Sequence, residues 1–185
     1  MNLRTDIPLT KEAFLRWAET QEVGYEYVGG RIIMMVRVTR NHGLVARNIF
    51  LLLTSAFPAE RWNVFADALA IDVGDSIRCP DIVVEPAGGD GSSSISDAPV
   101  FLAEILSPSS LETDLHEKAD EYTALPSLQA YVVLAQDEPR LWLWQRGEGG
   151  TFPKAGTMID GNDATLEIPA LGLALPLADI YRGVG

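Results

Sequence analysis

Cysteine, long apolar runs and, in its second half, basic residues are all scarce in this sequence. Cys79 is the one cysteine, so no internal disulfide can form. It reads as a small apolar residue beside a strand rather than a nucleophile, because no His or Lys stands near it in sequence. No apolar run approaches the ~18 residues needed to cross a bilayer. The opening segment, MNLRTDIPLTKEAF, has no apolar core of a signal peptide. Together these absences point to a reducing, cytoplasmic setting.

Positive charge is the most uneven of the shortages. Residues 1–80 hold nine Lys/Arg and nine Asp/Glu, whereas residues 81–185 hold five and seventeen, so the second part supplies the whole formal charge of −12. Long-range attraction to nucleic acid phosphates is correspondingly poor. This weighs against a DNA enzyme without excluding one, since bound divalent cations reverse the charge of a local site. Between Arg78 and Arg140 the only basic residue is Lys118, in company with twelve Asp/Glu. A lone cation in such a stretch is either a salt-bridge partner or a site residue.

What is present suits one domain spanning 1–185 around one core: 185 residues, 47% of them hydrophobic, which also excludes general disorder. Thr10 can cap a helix carrying Ala13, Phe14, Trp17 and Ala18 at helical spacing. Tyr25 to Val28 and Arg31 to Val36 flank Gly29-Gly30 as a hairpin. This helix and hairpin, about residues 10–36, read as an extension of the core. Asn41 can cap a second helix from Gly43 to about Phe57, with Leu44, Val45, Ile49, Leu52 and Leu53 on one stripe and Pro58 ending it.

Short strands follow at Trp62 to Phe65, Leu69 to Val73 and Asp81 to Val84, then a Gly/Ser-rich surface loop over Ala87 to Ala98. Val100 to Leu106 is a nearly continuous apolar run, the pattern of a central strand buried on both faces. Ser109 and Glu112 have capping-box spacing for a helix from about Leu111 to Leu125. Gln129 to Ala135 and Leu141 to Gln145 are two more strands, residues 147–163 are turns around a weak strand, and the apolar tail Leu166 to Tyr181 folds back on the domain. The fold class is α/β of the mixed, α+β kind: a mixed sheet flanked by helices, with a strand–helix–strand unit at 100–135.

Glu104 interrupts the buried strand, sharing a face with Val100, Leu102 and Leu106. A charge there is costly unless it is paired or binds a cation, or unless the strand ends and the side chain reaches water. Asp81, after Pro80, either caps a turn or pairs with Glu104 across adjacent strands. Two such carboxylates, a main-chain carbonyl and waters would make a hard oxygen site for Mg²⁺ or Mn²⁺. On the following helix, Leu111, Leu115, Ala119 and Tyr122 form the buried stripe, and Asp114, Lys118 and Glu121 lie on its flank. A lysine so placed can bury its stem and point its ammonium into a site.

At this point the sequence resembles a known family. CPDIVVEP and FLAEILSPSSLETDLHEKADEYTALPSLQAYVVLAQDEPRLWLW, with YEYVGGRIIMM, NHGLVARNIFLLL and LEIPALGLALPLADIY, are similar to the Uma-type restriction-endonuclease-like proteins of the PD-(D/E)XK nuclease superfamily. The resemblance covers nearly the whole chain. It implies a restriction-endonuclease-like fold and a Mg²⁺-dependent endonuclease acting on DNA, with a homodimer as the arrangement that would cut both strands. It implies Asp81 and Glu104 as metal ligands, with Ile105 offering its carbonyl. The usual lysine position after the glutamate is Leu106 here, so the resemblance gives that role to Lys118. Glu26 borders the site or faces solvent. His42 is a site residue or an exposed residue at a helix start. Asp67 and Asp114 are further supporting groups. Two other readings stay open: a non-catalytic binding or regulatory protein on the same fold, favoured by the acidic second half, and hydrolysis of a small phosphorylated molecule.

Overall fold

The structure, a computed structural model, describes residues 10–35, 37–106 and 113–185, with the backbone alone for Thr113 and Asp114. Helix α1 (Lys11–Ala18) starts where Thr10 Oγ1 accepts the Ala13 N–H at 3.3 Å, as the sequence suggests. Strands β1 (Tyr25–Val28) and β2 (Arg31–Met34) join through Gly29 and Gly30, both at positive φ, the backbone that a tight two-residue hairpin turn requires. The hairpin does not join the main sheet. It pairs through β1 with β5 (Ser76–Arg78), and β5 pairs with β4 (Ile71–Val73), giving the order β2-β1-β5-β4. Phe14 of α1 packs on Tyr27 and Ile77 of this small sheet.

Helix α2 (Arg40–Ala56) is capped by Thr39, not Asn41. Thr39 Oγ1 accepts the His42 N–H at 3.1 Å, and Asn41, already inside the helix, directs its amide to Asp137 Oδ1 at 3.0 Å. Thr39 has the extended backbone that a cap needs, so the helix begins before Gly43.

The main sheet has six strands: β3 (Trp62–Ala66), β6 (Ile82–Pro86), β7 (Phe101–Ile105), β8 (Ala130–Leu134), β9 (Arg140–Gln145) and β10 (Thr157–Asp160), in the order β10-β9-β8-β7-β6-β3. All neighbours are antiparallel except β7 and β8, which run parallel. A parallel pair needs a crossover. Its described part is one π-helical turn, Thr113–Glu117, running into α3 (Lys118–Thr123). The expected capping box at Ser109 and Glu112 lies outside the described residues, as does the side chain of Asp114.

Every residue of β7 and β8 is buried, which accounts for their continuous apolar sequences. On one face Val45, Ile49 and Leu53 of α2 meet Ile82, Val84, Ala103 and Ile105. On the other, Ala119 and Tyr122 of α3 meet Val83, Leu102, Tyr131 and Trp144. Tyr131 stacks between Tyr122 and Trp144, with ring centroids 5.1 Å and 5.5 Å away.

The tail folds back as its apolar pattern suggests. It forms the hairpin β11 (Thr165–Ile168) and β12 (Leu173–Pro176) and the short helix α4 (Leu177–Ile180), all packed into the α2 side of the core. Buried Asn48 of α2 fastens it, donating from Nδ2 to the carbonyls of Ile180 and Arg182, each at 2.9 Å. Replacing Asn48 by Ala leaves these carbonyls without that donor. Asn48→Ala should cost about 1–3 kcal/mol in urea unfolding and lower amide-exchange protection over residues 177–184 before the rest of the chain.

Candidate active site

Asp81 and Glu104 come from neighbouring strands of the main sheet. β6 and β7 pair Ile82 with Ala103 and Val83 with Leu102, and Asp81 is the residue just before this ladder while Glu104 is the residue just after it. Both side chains are buried. Asp81 Oδ2 accepts the Ile105 N–H at 2.6 Å, and Oδ1 lies 3.2 Å from His42 Nε2. Glu104 Oε1 accepts from Lys118 Nζ at 2.8 Å and from the Tyr122 hydroxyl at 3.1 Å.

Lys118 reaches Glu104 from α3, with its side chain buried against the sheet. Leu115, Ala119 and Tyr122 keep the expected stripe against the sheet, and Lys118 is buried beside Ala119 and Tyr122. Its ammonium also lies 3.2 Å from Glu26 Oε1. Glu26 is therefore part of the cluster rather than a solvent-facing strand residue. Its Oε1 accepts the Cys79 N–H at 3.1 Å, and its Oε2 lies 3.3 Å from Arg78 Nη1. Arg78, 1% exposed, is held from the other side by Glu121 through Nε at 2.6 Å and Nη2 at 3.1 Å. Ser76 Oγ donates to the same Glu121 carboxylate at 2.8 Å.

His42 is a correction to the exposed reading: it is 5% exposed, with its ring against Asp81. His42 stands three residues before Val45 and seven before Ile49, on the buried stripe of α2. Burial disfavours its charged form, yet the hydrogen bond and charge of Asp81, with Asp67 and the Ile105 main chain, outweigh this and raise its pKa above the usual value. Its Nδ1 is buried with no hydrogen-bond partner.

Asp67 also belongs near the pair. Its N–H donates to the Asp81 carbonyl at 3.0 Å, and burial together with the Asp81 charge raises its pKa. It is the one non-glycine among the described residues at positive φ, 47°. Burial and the charge of Glu26 push the Cys79 thiol up to about 12, so it stays protonated and unreactive. Burial, aided by Glu104, likewise keeps Tyr122 a neutral donor. Leu106, two residues after Glu104, is buried in the α3 side of the core.

Sequence reasoning missed Arg78 and the phenol of Tyr122. The signal for Arg78 was available: a cation between Ile77 and Cys79 needs a partner just as Glu104 does. Strand β5 went unread because three residues give too short an alternation, so Arg78 had no strand face to be assigned to.

A family profile described as "Putative restriction endonuclease" (Uma2) matches residues 11–178. The chain belongs to the Uma2 family. Among its relatives, the uncharacterized protein slr1290 of Synechocystis is 26% identical over 181 residues, covering 95% of this chain and 93% of that one. A second Synechocystis protein, sll1609, is 27% identical over 133 residues, covering 69% of this chain and 75% of its own. A crystal structure from Anabaena variabilis, described as a putative nuclease belonging to DUF820, aligns with a TM-score of 0.72 at 21% identity over 94% of this chain and 98% of that one. The likeness shows the fold, and the restriction-endonuclease-like mixed sheet read from the sequence is the observed one. No helix among the described residues of this Uma2 chain is long and apolar enough to cross a membrane.

Two outcomes follow from these contacts. Arg78→Ala leaves Glu26 and Glu121 without their shared cation and should destabilise the fold by about 3–5 kcal/mol in denaturant unfolding. In metal-free protein the folded pKa of His42 lies above its unfolded value of ~6.5. The stabilisation from its charged form is thus complete below about pH 6.5 and lost as pH rises through the folded pKa. Urea midpoints should fall across that window, and His42→Gln should flatten the fall; an NMR titration placing His42 below 6.5 would contradict it.

Proposed function

We propose that this chain hydrolyses DNA phosphodiester bonds as an endonuclease dependent on Mg²⁺ or Mn²⁺. The observation that carries the reading is the buried Glu104 carboxylate with the Lys118 ammonium 2.8 Å away, beside a buried Asp81 that accepts the N–H of Ile105, the residue after Glu104. The donor set fits such an ion. An ionised carboxylate has about four acceptor sites, so Asp81 can accept from Ile105 and His42 and still offer an oxygen lone pair. No group of three or more His, Cys, Asp or Glu suited to a metal occurs among the described residues. Asp81, Glu104 and the Ile105 carbonyl would therefore leave several positions to water and phosphate, as Mg²⁺ prefers.

A bound divalent ion would polarise the phosphate and lower the pKa of a water. The chain's own groups do the rest. Lys118, held between Glu26 and Glu104, orients the attacking water or neutralises charge growing on the phosphate. Tyr122 and Lys118 fix the Glu104 carboxylate, and the Ile105 N–H fixes that of Asp81. Arg78 holds Glu26, and so acts on Lys118 from behind. Two copies in a homodimer would cut both strands.

A non-catalytic binding protein is the second reading, favoured by the carboxylate partners around each cation of the site and by the excess of acids over residues 81–185.

The test uses supercoiled and single-stranded DNA with Mg²⁺ or Mn²⁺. Asp81→Ala, Glu104→Ala and Lys118→Ala should each lower cleavage by about 100-fold or more, and calorimetry should show Mn²⁺ binding lost in Asp81→Ala. Cleavage that survives all three substitutions sinks the site. Absence of cleavage with either metal, alongside intact nucleic acid or protein binding, supports the second reading.

A further inference from the structure

Beside the carboxylate pair lies a cavity of about 250 Å³, bounded by α1, β1 and the turn from Asp67 to Ala70. Its walls are mostly apolar, with Phe14, Leu15, Tyr25, Met35 and Leu69 among them. Two residues connect it to the proposed active site. Asp67 lines the cavity and donates its N–H to the Asp81 carbonyl; Cys79 lines it and donates its N–H to Glu26, the partner of Lys118. We propose that this cavity receives one unstacked nucleobase of the strand whose phosphate lies at Asp81 and Glu104. The proposal rests on the phosphodiesterase reading and names what part of the substrate it recognises besides phosphate.

Size, chemistry and charge agree on this occupant. The cavity falls just below the ~300–1,000 Å³ of pockets for drug-sized ligands, which suits one planar base rather than a folded chain. Aromatic and apolar walls with a few polar groups are how proteins hold an extruded base. Half-buried Tyr25 presents a ring whose back is fixed edge-on by Trp17, 4.8 Å away. Asp67 offers a carboxylate acceptor for an exocyclic amino group. Finally, a chain of net charge −12 gains little from phosphate contacts. Stacking on an uncharged base is a source of affinity that this charge does not weaken.

The test reads binding rather than turnover. Full-length protein with Glu104→Gln, in Mg²⁺, is titrated by fluorescence anisotropy with oligo(dC) and with an abasic oligomer of the same length and charge. Oligo(dC) should bind about 5- to 150-fold more tightly, the range expected for one stacked base. Ala68→Trp, a substitution at an exposed residue on the cavity rim, should remove most of that difference. Equal affinity for the two oligomers overturns the proposal, and that comparison needs no cavity variant to fold. The two readings fail separately. Base-dependent binding without cleavage by the unsubstituted chain sinks hydrolysis and supports the cavity; cleavage of DNA with equal affinity for both oligomers overturns the cavity alone.

Discussion

A carboxylate buried on the face of a central strand must have a cation beside it, and the pairing of Glu104 with Lys118 organises much of what surrounds it. Lys118 is itself buried and is shared with Glu26, which in turn meets Arg78, which is closed off by Glu121. Signs alternate along this chain, so each buried charge is neutralised by the next. In a low-dielectric interior the removal of one member leaves its neighbours uncompensated. The series also crosses the architecture: Glu26 and Arg78 belong to the small sheet, Glu104 to the large one, and Lys118 and Glu121 to α3. It joins the two sheets and α3 at the place where chemistry is proposed.

The position of Asp81 follows from a different constraint. Its carboxylate is tied to the Ile105 main chain and faces His42 at the first turn of α2. β7 ends here, beside the only parallel partner among the described strands, and its crossover departs from the same end. Strand ends at such a point leave main-chain groups available and helix termini close by, a common setting for ligand sites in α/β sheets.

Charge makes the reading of this site demanding. The acid-rich second half gives the protein little long-range pull on a polyanion. The cations nearest the carboxylates are buried and ion-paired, so they act at contact distance rather than by steering. An ion held by Asp81 and Glu104 would change the sign of the potential where a phosphate must sit. A cavity for a base next to it would supply affinity insensitive to that charge.

The sequence by itself determined the strand–helix–strand unit, the hairpin, the returning tail and the misfit of Glu104 in its buried strand. Each has a local signature: continuous apolar runs, Gly29-Gly30, or an acid placed in a run such as VFLAEIL where nothing polar belongs. Lys118 was legible as the one cation among twelve acids. Tertiary structure alone decided who partners whom. Arg78 lies 43 residues from Glu121, His42 lies on a helix capped two residues earlier than expected, and β5 is three residues long. Composition and periodicity report on neighbours within a few residues. Register between strands and the packing of α3 on the sheet are fixed over longer distances, and these bring Lys118 to Glu104 and Asp81 to the Ile105 main chain.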